Sequence, residues 1–188
     1  CELMAATLTS VLDSSAKVSA YIAECTRIGI RVLAPNINSS FEGFTVNGNS
    51  IRFGLLAIKN LGKGFIRTII EKREGGGKFT TFSSFCKRVH SKEFNRRAVE
   101  SLIKCGALDW FGHYRSRLVA SLDTALTQLS TIKNRDCYGQ IGLFEAEGGK
   151  DESITLSLPN IKEYSDAEKL SYERELCGMY FSGHPLKA

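Results

Sequence analysis

Long apolar runs are missing from this 188-residue chain, and none approaches the ~18 residues that a membrane-spanning helix requires. The opening CELMAATLTS lacks the charged-then-apolar order of a secretion signal. Cysteine is scattered: Cys1, Cys25, Cys86, Cys105, Cys137 and Cys177 form no C-x-x-C pair, and His90, His113 and His184 complete no metal-ligand spacing. No metal site is therefore expected. Acidic residues are dispersed, with no Asp-x-Asp placement for a two-metal centre. There is no G-x-S-x-G elbow and no P-loop, and Ser182-Gly183-His184 is too small a pattern to carry a triad. These gaps leave no catalytic residue to expect and point to a binding module. Cys86 and Cys105 fall on apolar helical faces, where a small buried thiol is the simplest role, and a reducing cytoplasm fits that usage. An initiator Met is also missing and the chain stops at GHPLKA, so it reads as a piece of a longer polypeptide.

What is present is a chain 43% hydrophobic, long enough to bury a real core. Its charge is unevenly placed. Residues 1–50 carry 3 basic against 4 acidic side chains, residues 51–135 carry 17 against 6, and residues 136–188 carry 5 against 10. A basic middle followed by an acidic tail suggests a polyanion partner for one segment and something else for the other. Two ordinary solvated surfaces are the alternative.

The periodicity predicts a mainly α fold with one short β-hairpin. A helix is expected over 2–12 and a second after the cap candidates Asp13, Ser14 and Ser15, closed by Gly29. Ile30 to Leu33 is a short β-like run, and Phe44-Thr45-Val46, Asn47-Gly48-Asn49 and Ile51-Arg52-Phe53 read as a hairpin. Beyond Gly54 the chain turns helical: a short helix over 55–59, a tight turn over 60–64, and a helix over 65–73 broken by Gly75-Gly76-Gly77. Thr80 or Thr81 caps a helix whose Phe82, Phe85, Cys86 and Val89 share a face, and Asn95 caps 96–105. A longer helix over about 113–132 carries the stripe Leu118, Leu122, Ala125 and Leu129. Residues 134–160 show no persistent period, and 166–180 recover one.

Leu61-Gly62-Lys63-Gly64 between two short helices is a helix-hairpin-helix pattern. Glycines let the backbone turn and approach a phosphate, and the amides opening the second helix point outward at its positive dipole end. Such contacts position a protein on nucleic acid without reading its sequence. Lys63 and Arg67 flank those amides, and Ile58, Leu61, Ile66, Ile69 and Ile70 supply the apolar backing. A plain helix-to-helix turn is the alternative. Arg96 and Arg97 open a later helix, where acidic side chains are the usual choice, so an anion or simple solvation must account for them. Further on, GQIGLF plants an apolar cluster between the polar KNRDCY and the acidic EAEGGKDES. Gln140, Ile141, Gly142, Leu143 and Phe144 make a compact peptide ligand, with an amide for one subsite and Leu and Phe for an apolar pocket. The alternative is a loop that docks Leu143 and Phe144 on its own domain.

Six stretches converge on one family: ELMAATLTS, YIAECTRIGIRVLAPNIN, FTVNGNSIRFGLLAIKNLGKG, NRRAVESLIKCGALD, GQIGLF and ERELCGMYFSGHPL. In that order, nearly end to end, the chain resembles a segment of the alpha subunits of bacterial DNA polymerase III, the C-family replicative polymerases. The resemblance implies that 1–32 is the end of a fingers domain, 33–148 a clamp-binding domain with its helix-hairpin-helix at about 51–110, and 149–188 a linker and helix leading toward an OB-fold. It implies duplex DNA (primer-template) as the partner of Leu61, Gly62, Lys63, Gly64, Arg67, Arg96 and Arg97. It implies the ring-shaped sliding clamp as the partner of Gln140 to Phe144, and other replisome subunits as partners of the parent chain. Gly142 departs from the small polar or acidic residue common in that peptide, and Thr68 stands where such hairpins often carry Ala. The parent is expected to be a cytoplasmic, nucleoid-associated nucleotidyltransferase that uses Mg²⁺, with this segment itself non-catalytic and without a cofactor. A stand-alone helical interaction scaffold is the rival expectation.

Overall fold

Helix α1 spans Glu2–Ser10 and buries Ala5 and Leu8, stopping two residues before Leu12. In the computed structural model, which describes residues 1–91, 93–137 and 157–183, four of the remaining helices start at a side-chain cap. Ser14 accepts from the Lys17 amide and opens α2 (Ser15–Arg27), which ends through Gly29 in the left-handed region at φ 78°. Both ends match the residues that favour them: a hydroxyl satisfies a free first-turn amide, and glycine takes positive φ without strain.

The hairpin forms as expected, with β2 (Thr45–Asn47) antiparallel to β3 (Ser50–Arg52) and Gly48 at φ 58° in its turn. It is not alone. Strand β1 (Arg31–Leu33) joins β3 in parallel, pairing Val32 with Ile51, so the order is β1-β3-β2. A lone strand leaves a row of backbone groups without partners, and the free edge of β3 is where β1 satisfies them. Ile51, on the central strand, is completely buried. The chain then leaves the sheet at Gly54, where a Cβ would lie 2.5 Å from the Gly43 carbonyl carbon and 2.7 Å from its oxygen. Gly54 has φ −79°, so close approach rather than backbone conformation demands glycine.

A single 3₁₀ turn, Leu55–Ala57, replaces the expected first helix of the hairpin. Helix α3 (Lys63–Gly76) begins two residues earlier than expected and continues through Gly75 and Gly76, stopping at Gly77 with φ 71°. Burial of Phe65, Ile66, Ile69 and Arg73 holds it against the low helix propensity of its last residues. Helix α4 (Phe82–Val89) is capped by Thr81 and buries Phe82, Phe85, Cys86 and Val89. Helix α5 (Arg96–Lys104) is capped by Asn95. Helix α6 (Arg115–Cys137) outruns its predicted end and buries Leu118, Leu122, Ala125 and Leu129. Helix α7 (Asp166–Cys177) starts in a capping box of Ser165 and Glu168 and ends at Gly178 with φ 75°, short of Tyr180. The fold is mainly α, with the hairpin enlarged to a three-stranded sheet.

One apolar cluster runs from Ala5 and Leu8 to Leu176 and Cys177, with edge-on aromatic pairs Phe44–Phe53, Phe53–Phe181 and Phe79–Phe85 inside it. A pair of opposite charges enters this interior at the start of α6. Buried Arg115 donates to Asp109 at 2.9 and 2.7 Å, to the Lys104 carbonyl at 3.0 Å and to fully buried Glu173 at 3.0 Å. Glu173 in turn accepts from the amides of Phe181 (2.6 Å) and Ser182 (2.9 Å) and from the Ser182 hydroxyl. Burial opposes the Arg115 charge, but hydrogen bonds and charge from Asp109 and Glu173 outweigh it and hold the guanidinium above its ordinary range.

Two outcomes follow for stability. Glu173→Ala removes the buried partner of Arg115, leaving half-exposed Asp109 as its counter-charge and the Phe181 and Ser182 amides without an acceptor, and a loss of ~3–5 kcal/mol is expected in urea unfolding. Gly54→Ala forces a methyl into the Gly43 backbone, and the same assay is expected to show a loss of ~1–3 kcal/mol.

Candidate nucleic-acid interface

The turn between the 3₁₀ element and α3 is held from two sides. The Lys59 amide donates to the Leu176 carbonyl at the end of α7 (3.0 Å). Asn60, the non-glycine residue with positive φ (68°) among the described residues, donates from Nδ2 to Ser101 Oγ on α5 at 3.0 Å. Leu61 is half-buried against the core and anchors the tip. The loop is thus fixed to α5 and α7 before any partner arrives.

Gly62 is the N-cap of α3, and its carbonyl accepts from Ile66 at 3.1 Å. Its φ of −83° suits any residue, and nothing lies within 4 Å of where a Cβ would stand. Neither conformation nor internal crowding asks for glycine there. The amides of Lys63, Gly64 and Phe65 find no acceptor among the described residues, and no side chain caps the helix. Four other helix starts are closed by side chains, Ser14, Thr81, Asn95 and Ser165 capping α2, α4, α5 and α7, while α1 also lacks a side-chain cap. Glu163 reaches across from outside α6 to accept from the Arg115 and Ser116 amides at 2.9 and 3.1 Å. Burial alone would raise the Glu163 carboxyl, but backbone amides from Ser116, Tyr164 and Arg115 pull it below the usual range. The same donors stand open on α3, where an anion is electrostatically favoured.

Lys63 and Arg67, four residues apart, lie on one exposed face of that first turn. Arg67 is paired with Glu42 at 3.1 Å. A Cβ at Gly64 would collide with the carboxylate of Glu93, which therefore rests against the helix start. Thr68, in place of the expected small residue, turns its hydroxyl to the Gly64 carbonyl at 3.1 Å and stays clear of the turn.

Arg96 and Arg97 are placed differently. The α5 start is already capped by Asn95, which accepts from the Ala98 amide at 2.9 Å. Arg96 turns to Asp123 (2.8 Å) and Glu100 (2.9 Å), and hydrogen bonding to Asp123 raises its pKa. Its basic character at a helix start is thus explained within the protein. Arg97 is exposed and, with Asn60, Lys104 and Tyr172, lines a polar cavity of about 240 Å³ beside the hairpin. Residues Gln140, Ile141, Gly142, Leu143 and Phe144, together with His184, lie outside the described residues.

Sequence reasoning missed Glu42 and Glu93. Each reaches the hairpin from a distant loop, and the only prior signal was an acid standing near a basic run. No cluster of His, Cys, Asp and Glu among the described residues is placed to hold a metal ion, and no helix there is long and apolar enough to cross a membrane. Burial pushes the Cys86 thiol up to about 12, so it is no nucleophile at neutral pH.

Residues 29–118 match the family model for a helix-hairpin-helix motif. The chain is 39% identical to the DNA polymerase III subunit alpha of Saccharopolyspora erythraea over 190 residues, covering 98% of this chain and 16% of that protein. It is 42% identical to the subunit of the same name from Borreliella burgdorferi, over 97% of this chain and 16% of the relative. A third, from Thermus aquaticus, is 42% identical over 98% of this chain and 15% of its own length. The chain spans about one sixth of the length of these relatives. Over the region it spans, the chain belongs to the family of DNA polymerase III alpha subunits.

Proposed function

We propose that this segment grips duplex DNA by its phosphate backbone at the 60–67 hairpin, as one part of a replicative DNA polymerase. The observation that carries the reading is the α3 start, whose first amides are open while Lys63 stands exposed beside them and Gly62 leaves room for approach. Three outward amides and an adjacent ammonium make a phosphate seat that is indifferent to base sequence. Arg67 supports the seat once Glu42 releases it, Leu61 sets the tip against the core, and Arg97 extends the basic side beyond Asn60. Arg96 contributes by ordering α5 against α6, since its donors are taken by Asp123 and Glu100.

The parent chain carries DNA-directed synthesis elsewhere along its length. The Mg²⁺ that such chemistry uses has no acidic cluster to hold it among the described residues. In the same proposal, Gln140, Leu143 and Phe144 form a peptide for the sliding clamp, with Ile141 and Gly142 spacing the anchors. A residue pattern of amide, two spacers, Leu and aromatic supports that assignment, and residues 33–148 are the proposed clamp-binding domain. Two weak contacts on one chain reinforce each other through effective concentration, which is how a grip on DNA and a peptide on a ring slow escape together.

Duplex binding measured by fluorescence anisotropy is expected to weaken steeply between two salt concentrations. Lys63→Glu is expected to weaken it equally for unrelated sequences and to reduce the salt slope by about 1. A salt-independent affinity rules out the phosphate seat. For the peptide, changing Leu143 and Phe144 together to Ala is expected to remove ~2 kcal/mol or more of clamp affinity in surface plasmon resonance. Undiminished binding by that double variant removes the clamp assignment.

A further inference from the structure

We propose that Glu93 and Glu42 are built-in competitors for the phosphate at the α3 hairpin, so that DNA must displace two carboxylates to be held. This rests on the duplex-binding reading above and adds the regulation of that same seat. The two acids come from separate loops, Glu42 from the approach to β2 and Glu93 from the link between α4 and α5. They meet the seat at different points. Glu93 lies against Gly64, the second residue of α3, where any larger side chain would meet its carboxylate. Glu42 holds Arg67 by its Nε at 3.1 Å.

The physics of both placements is the same. A helix start with unpartnered amides favours negative charge, and with no side-chain cap it draws the nearest carboxylate. Glu93 makes no hydrogen bond to the amides of Lys63, Gly64 or Phe65, so it contributes charge without closing them as Glu163 closes α6. Glu42 likewise neutralises Arg67 through one oxygen, while both partners keep substantial exposure, 64% for Arg67 and 37% for Glu42. Exposed pairs of this kind are weak and exchange readily. A phosphate, with more charge and more acceptor oxygens than a carboxylate, displaces them at small cost. The result is a seat that is preformed in shape but lowered in affinity, suited to a protein that must release one phosphate and take the next.

Fluorescence anisotropy of the chain with duplex DNA tests this using Glu93→Gln, Glu42→Gln and, as reference, Glu24→Gln. Glu24 is half-exposed on α2, where it pairs with Arg27 at 2.6 Å, so its removal changes net charge by the same amount and frees an arginine outside the seat. Each of E93Q and E42Q is expected to tighten binding about two- to five-fold, the size of an exposed ion pair. E42Q is expected also to steepen the salt slope by up to about 0.9, because Arg67 is freed to meet a phosphate. E24Q is expected to change little. Equal tightening by E24Q reduces the effect to net charge and overturns the proposal. Unchanged affinity in E93Q and E42Q also overturns it, and if Lys63→Glu still weakens binding, the duplex reading stands without it. Salt-independent binding that Lys63→Glu leaves unaltered removes the duplex reading itself, and this proposal with it.

Discussion

The buried contact between Arg115 and Glu173 fixes how the helices meet, and the hairpin depends on that meeting. Arg115 opens α6, yet its donors reach Asp109, the last carbonyl of α5 at Lys104, and Glu173 inside α7. Two charges removed from water are costly to bury, and the pair is tolerable only because each remaining donor and acceptor is engaged. Glu173 meets that condition by accepting the Phe181 and Ser182 amides, which folds the segment after α7 back over the sheet. Phe181 then packs edge-on against Phe53 with ring centroids 5.3 Å apart. An apolar replacement of the pair can match its volume but not its directions, and direction is what sets α7 against α5. From α7 the constraint passes to the hairpin, since the Leu176 carbonyl receives the Lys59 amide and Ser101 on α5 receives Asn60. The open helix start is therefore presented by a rigid frame.

Net charge says less about the surface than its sum suggests, because arginine and lysine are used differently. Arg73 is buried and donates to the Ile37 and Ser40 carbonyls, lying over the Phe41 ring. Burial lowers its pKa, with Glu74 opposing. Arg88 reaches the carbonyls of Lys72, Gly77 and Lys78 at the end of α3, and Arg52 reaches that of Ala34. A planar, always-charged fork can staple several carbonyls at once, which lysine cannot. Lys59, Lys63, Lys72 and Lys78 stay exposed instead. Arg52, Arg73, Arg88 and Arg115 thus serve as internal scaffolding, and the exposed charge at the hairpin is local to Lys59, Lys63, Arg67 and Arg97.

Local chemistry was legible and long-range pairing was not. Ser14, Thr81 and Asn95 were readable as caps because the rule needs only a hydroxyl or amide ahead of an apolar period. The faces of α4 and α6 were readable for the same reason, and each apolar residue assigned to them is buried. The partner of β1 was not, because nothing in Ile30 to Leu33 names the edge of a hairpin about twenty residues on. Helix lengths slipped where tertiary burial overrode propensity, as when α3 ran on through Gly75 and Gly76. At the hairpin, Gly62, Lys63, Gly64 and Arg67 come together because they are neighbours in sequence. Arg96 separated from them because Asp123, 27 residues away, offered a better partner. Glu100, one turn along the same helix, was the visible hint.

These two features, a rigid frame and exposed charges, act in opposite directions on a moving ligand. The frame keeps the amides of α3 aimed, so that the entropy of ordering them is already lost before DNA arrives. Exposure keeps each charge contact weak and screened by salt, so that no single phosphate is held long. A seat made from buried cations would do the reverse, binding one phosphate tightly and resisting its replacement. In the proposed role the segment must stay near DNA while passing along it, and only the first combination allows both. Retention must then come from joining this grip to a second one, the proposed peptide at Gln140 to Phe144, because two weak contacts on one chain seldom open together.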